Sequence, residues 1–248
     1  MDAPRFPVLE LRRYAVRAGE APAFSRYFES FFPEAFQQLG AMILGDFVER
    51  TPDTVTWLRG FPDVAARRTV CEAFYDGPLW KEHAAAANAR LLDHTNVLLL
   101  RPLRGTEKGI PALPAVDPIR GQGGTRGVAL AQIFTVAEGR LDAFAPAAET
   151  AFARYREAGV REVGALATLD VPNNFPRHPV RTDGPHLVWL GLVEDDTALK
   201  AFTPLADTAL AGLCATGLLR RAPEALVLDP GPRSRLRWLR SDGPDQAA

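Results

Sequence analysis

Residues 8–24, VLELRRYAVRAGEAPAF, recur in altered form at 128–144 as VALAQIFTVAEGRLDAF. Val8 falls on Val128, Val16 on Val136, Gly19 on Gly139, and Ala23-Phe24 on Ala143-Phe144, with Tyr14 over Phe134. Further along, Gly40 and Gly45 match Gly159 and Gly164, and Trp57-Leu58 matches Trp189-Leu190. Such an ordered series marks an internal duplication. It limits the fold to what one unit can form and what two such units can bury between them.

Each unit reads strand, helix, strand, strand, helix, strand. In the first, VLELRRY is a strand. Phe24, Tyr27, Phe28, Phe31, Phe32, Phe36 and Leu39 then recur at helical spacing, an amphipathic helix that Pro33 should bend near Phe32 and Gly40 should cap. AMILGDFVE and TVTWLRGF form a hairpin around RTPD, residues 63–95 are helical with a break at Asp76-Gly77-Pro78, and NVLLLRPL closes the unit as a strand. The second unit places strands at 128–136, 161–169 and 186–193, helices at 141–158 and 195–216, and a last strand in EALVLD or RLRWL.

The Gly- and Pro-rich, aperiodic stretch 105–125 reads as a linker between units 1–104 and 126–248. The order βαββαβ is that of the ferredoxin-like unit, an antiparallel sheet with both helices on one face. The expected fold class is therefore α+β. Two tandem ferredoxin-like units pack sheet to sheet as an internal pseudo-dimeric α+β barrel. Duplication does within one chain what two-fold symmetry does in a homodimer; pairing of whole chains into a further homodimer stays open.

Period two places Val8, Glu10, Arg12 and Tyr14 on one face of the first strand and Leu9, Leu11 and Arg13 on the other. If the bare sheet faces meet, Glu10, Arg12 and Tyr14 line the barrel interior opposite Leu130, Gln132 and Phe134. A charged pair on a cavity wall needs a partner or a ligand. Arg12 is then expected to anchor an anionic or carbonyl oxygen, Glu10 to orient it or act as a base, and Tyr14 to offer a ring and a hydroxyl. The opposing reading is a half-solvated structural ion pair at the rim.

The second hairpin carries an insertion, VPNNFPRHPVRTDG at 171–184, in which Asn173, Asn174, Arg177 and His178 supply polar contacts to a lid and His178 a second candidate base. Trp57, Gln132 and Trp189 complete the expected ligand-binding set. A barrel filled by Trp57, Trp189 and Phe134 would instead favour a non-catalytic interaction module.

ELRRY at 10–14, Gly40 with Gly45, Trp57-Leu58 and PLWKEHAAAANARLLDHTNVLLLRPL at 78–103 together make the first unit resemble the NIPSNAP family, a branch of the dimeric α+β barrel superfamily. DVPNNFPRHPVR at 170–181, before the Trp189 strand, extends the resemblance into the second unit. It implies a barrel that holds a small, partly apolar or aromatic ligand, and it carries over no catalytic residues. The related barrels include cofactor-independent monooxygenases and isomerases, so the fold alone does not select a reaction.

Composition bounds the partners. A net charge of −1 gives no electrostatic reason for nucleic acid or an anionic membrane surface. No apolar run approaches a membrane span and the start MDAPRFPV has no apolar leader core, so a cytoplasmic protein is expected. Cys71 and Cys214 read as buried free thiols. His83 and His94 read as structural helix residues; with His178 and His186 they make no ligand spacing, so no metal and no cofactor is expected. The run Arg233, Arg235, Arg237, Arg240 reads as a solvated edge strand.

Overall fold

Strands and helices alternate in the same order twice in the computed structural model, which describes residues 5–103, 110–111 and 127–238. The first run is β1 (Val8–Val16), α1 (Ala21–Phe31), α2 (Pro33–Gln38), β2 (Met42–Glu49), β3 (Thr54–Phe61), α3 (Val64–Tyr75), α4 (Pro78–Asn88) and β4 (Leu91–Pro102). The second is β5 (Val128–Thr135), α5 (Leu141–Glu157), β6 (Arg161–Thr168), β7 (His186–Val193), α6 (Asp196–Ala215) and β8 (Glu224–Pro230). Nearly all of the stretch assigned as linker, and everything from 239 onward, lies outside the described residues.

Eight strands close into an antiparallel barrel in the order β8-β2-β3-β1-β4-β6-β7-β5, with β8 returning to β5, while the short strands Arg5–Phe6 and Ile110–Pro111 pair as a separate two-stranded sheet. Each run contributes four neighbours in the same internal order, and the runs join where β4 pairs β6 and β2 pairs β8. The matched glycines sit in matched geometry. Gly40 and Gly159 follow a helix at φ +97° and +89°, a left-handed conformation that only glycine adopts without strain. The ladder shifts register next to Gly45 in one run and Gly164 in the other. Asp63 and Asp195 cap α3 and α6 alike, each accepting the backbone N–H three residues on.

The barrel interior is solid. Leu9, Leu11, Leu58, Leu98 and Leu100 meet Ala129, Ala131, Ile133, Val188 and Leu190 there in one buried cluster. Arg13, next on that face of β1, closes one end of the packing through Glu49 and Glu224 at 2.8 and 2.5 Å. The other face of β1 looks outward, under the helices, where Val8 and Tyr14 join Phe24, Phe28 and Trp57. Glu10, Arg12 and Tyr14 therefore do not line the barrel interior. Both faces of the strand are covered, one by the opposite sheet and one by helices, and alternation alone cannot say which cover is which.

Other expectations shift as well. The helix assigned to 63–95 ends at Asn88, because Leu91, Asp93 and Asn96 pair with β1 across two register shifts, and no Gly or Pro marks that boundary. RLRWL forms no strand among its described residues: Leu236 packs into the barrel core, its N–H donates to the Leu44 carbonyl, and Trp238 lies 3.7 Å under the Arg161 guanidinium. Arg233 is bound to the Glu29 carbonyl and to Glu34, so that arginine is tied down rather than solvated on an edge. Cys214 is exposed, unlike the buried Cys71. No described helix is long and apolar enough to cross a membrane.

Candidate functional site

The aromatic stripe of α1 has to cover a sheet face that already carries large side chains. Phe28 and Phe24 sit 4.9 and 6.0 Å from Trp57 on β3, centroid to centroid. At the break before Pro33, Phe32 turns toward Phe74 on α3 and Trp80 on α4, at 5.6 and 5.7 Å. These rings enclose a cavity of about 450 Å³ between the outer face of β1 and β3 and helices α1 to α4. Its size falls within the roughly 300–1,000 Å³ of small-molecule sites. Leu92, exposed at the start of β4, and His94 stand at its edge.

The inner end of the cavity is polar and fully buried. Glu10 is 0% exposed and accepts from three arginines of three elements: Arg12 of β1 at 2.8 Å, Arg67 of α3 at 2.6 Å, and Arg59 of β3 through Nε at 3.1 Å and through Nη2. Arg12, Arg59 and Arg67 are themselves at most 1% exposed. Three guanidiniums face one carboxylate, leaving a buried surplus of two positive charges. Arg59 also lies over the rings of Phe36 and Phe61, at 4.7 and 5.1 Å. Its Nη1 makes no protein hydrogen bond among the described residues, and the buried Nη2 of Arg67 has no partner there either.

The insertion 171–184 folds onto this cluster. Asn173 and Asn174 accept from Arg67 Nη1 at 3.1 and 2.5 Å, while their amides donate to the carbonyls of His178 and Val64. Phe175 is buried and stacks on Tyr75 and His178. His178 Nδ1 lies 2.9 Å from Arg12 Nη2, and Arg12 Nε donates to the Tyr14 hydroxyl at 2.9 Å. Arg177 pairs with Asp76 at 2.8 Å on the outside while lining the cavity. The loop is thus a wall of the site, bonded to α3.

Charge states follow from these contacts. Burial alone would push the Glu10 carboxyl up, but Arg59, Arg12 and Arg67 together hold it well below the usual carboxylate range. Burial pushes the Tyr14 phenol up to about 12, so it keeps its proton. Burial, with the cations Arg12 and Arg59 nearby, pulls the His178 imidazole down to about 3. A guanidinium can only donate, so the Arg12 contact occupies the Nδ1 lone pair and leaves the single ring proton on Nε2. Neither Glu10 nor His178 is set up as a base near neutral pH. Glu10 orients three arginines, and His178 is a neutral donor.

Of the residues expected from sequence, Glu10, Arg12, Tyr14, Trp57, Asn173, Asn174, Arg177 and His178 come together at this cavity or directly behind it. Gln132 and Trp189 do not. They occupy the equivalent layer of the second run, where Gln132 bonds Tyr155 at 3.2 Å and Trp189, fully buried among Phe152, Tyr155 and Phe202, donates to Glu162 at 3.0 Å. Sequence reasoning missed Arg59 and Arg67. Their signals were present: Arg59 shares the period-two face of Trp57 and Phe61, and Arg67 shares the helical face of Val70, Cys71 and Phe74. His94, read as a helix residue, is on β4 at the cavity edge, 5.9 Å from Tyr14.

No protein-family model and no curated protein matches the sequence. Solved structures do match. An anthrone oxidase-like protein is 12% identical with a TM-score of 0.60, covering 93% of this chain and 94% of its own. A candidate monooxygenase from Fusobacterium nucleatum is 11% identical with a TM-score of 0.56, covering 91% and 93%. A NIPSNAP domain protein from Burkholderia xenovorans is 20% identical over 40% of this chain and 96% of its own, with a TM-score of 0.37 that carries no argument. At these identities the likeness is one of fold alone, an α+β barrel spanning nearly the whole chain.

Proposed function

We propose that the chain is a duplicated ferredoxin-like protein of the dimeric α+β barrel type that holds one small aromatic ligand in the helix–sheet cavity of its first unit. The matched strand order, glycines and caps of the two runs support the duplication. The cavity carries the functional reading: aromatic walls lead to a buried polar end that the fold does not require, since the second unit closes the same layer with Phe134, Phe152 and Trp189. The ligand therefore sits beside the barrel and not inside it. Trp57 and Trp80 both line the cavity, so binding of an aromatic probe such as 2-naphthoate should quench their fluorescence. Ala87→Trp, on the α4 wall, should abolish the quench without unfolding the protein. A quench that survives this substitution would place the ligand elsewhere.

A second reading adds turnover, a cofactor-independent oxygenation. His94 favours it, as the cavity-edge imidazole with no guanidinium on its ring among the described residues. A base there would draw a proton from an anthrone-like substrate, and the carbanion would reduce O2, giving the quinone and water. Oxygen uptake with anthrone that is lost in His94→Gln supports this reading. No uptake with a bound probe leaves a binding protein.

A further inference from the structure

The polar end of the cavity is one-sided in its hydrogen bonding. Tyr14 Oη accepts two bonds from Arg12, and its own proton has no acceptor among the described residues. His178 has Nδ1 occupied by Arg12, which leaves Nε2–H to donate. Arg59 commits Nε and Nη2 to Glu10 and keeps Nη1. All three side chains line the same cavity, and each keeps a donor that has no protein acceptor among the described residues. The one carboxylate beside them among the described residues, Glu10, is already saturated by Arg12, Arg59 and Arg67. The surplus of two positive charges lies where water is largely excluded, and a buried charge without a counter-charge is costly.

We propose that the ligand of this cavity carries an oxyanion, as an aromatic carboxylate or a phenolate does, received by Arg59, Tyr14 and His178 while its ring system lies among Phe28, Phe32 and Trp80. The assignment rests on the reading of the cavity as a ligand site and adds the chemical class of the ligand. It also gives the arginine cluster its role. Glu10 and Arg12 are positioning residues: Glu10 holds Arg59 with its third nitrogen free, and Arg12 sets the tautomer of His178 and the orientation of Tyr14. A cationic or purely hydrogen-bond-donating ligand has nothing to bind there. The second unit, with Leu130, Gln132 and Phe134 at the matching positions, offers no comparable set of donors among its described residues.

Isothermal titration of the whole protein with 2-naphthoate, 2-naphthol and the neutral methyl ester of 2-naphthoate tests this. Charge-assisted hydrogen bonds in a buried site should favour an anion over the ester by about 10- to 100-fold. A carboxylate site prefers naphthoate; a phenolate site prefers naphthol and red-shifts its absorbance on binding. Arg59→Met should erase the preference, and Tyr14→Phe, which removes one donor, should reduce it. The comparison of probes on the unsubstituted protein stands even if a variant does not fold. Equal binding of anion and ester overturns the oxyanion assignment and spares the cavity reading. Binding of none of the three overturns both.

Discussion

Glu10→Gln is the most direct perturbation of the buried cluster. The substitution keeps shape and volume but removes the charge that three guanidiniums share, and its amide places an N–H where one of them donates. Removing one partner of a buried ion pair costs about 3–5 kcal/mol, because the remaining charge is stranded without solvent. Here three charges are stranded, so the upper end of that range applies, against a total stability of about 5–15 kcal/mol. At 2–4 °C per kcal/mol for a chain of this size, the melting temperature should fall by roughly 10–20 °C.

The pH dependence carries a sign. Glu10 titrates lower in the folded state than in the unfolded chain, so its stabilisation is complete above the unfolded value of about 4.3 and is lost as pH falls toward the folded one. Thermal melts followed by circular dichroism should show a constant gap between the two proteins from about pH 5 to 8, narrowing below about pH 4. A loss under about 1 kcal/mol, or a gap that already closes near pH 6, would show that the cluster is hydrated or that Glu10 is not its counter-charge.

Three further outcomes follow from the same contacts. Because the imidazole of His178 titrates near 3 when folded and near 6.5 when unfolded, it contributes a loss of stability as pH falls below about 6.5, which His178→Phe should remove; nitrogen NMR should find the ring neutral with its proton on Nε2 throughout pH 5–8. Deleting 172–182 should lower the melting temperature, since it removes Phe175 from the core and both acceptors of Arg67 Nη1; an unchanged melt with altered ligand access would restore the expectation of a simple lid. Leu11→Ala should cost about 2–5 kcal/mol and leave probe binding intact, because Leu11 packs inside the barrel on the opposite side of β1 from the cavity; loss of binding in a folded variant would contradict the separation of barrel core and site.

Much of the architecture is legible in the chain itself. Helical spacing of the Phe24–Leu39 stripe, the break at Pro33 and the turn glycines are local signals, each governed by backbone geometry within a few residues. The repeat then fixes the strand order twice over. The singularity of Glu10, Arg12 and Tyr14 is equally a property of sequence, since VALAQIF forms the matching strand without them.

Tertiary structure alone decided three things. It set which side of β1 faces the barrel, because either face of an alternating strand can be buried and only the packing of distant elements assigns the cover. It put Leu91–Thr95 into β4, because pairing with β1 overrides the helical character of the residues before them. And it made the site. Glu10 meets Arg59 and Arg67 from β3 and α3, and Arg67 meets Asn173 and Asn174 from the other half of the chain. The charge balance of a buried cluster is a sum over residues remote in sequence, and no local pattern carries that sum.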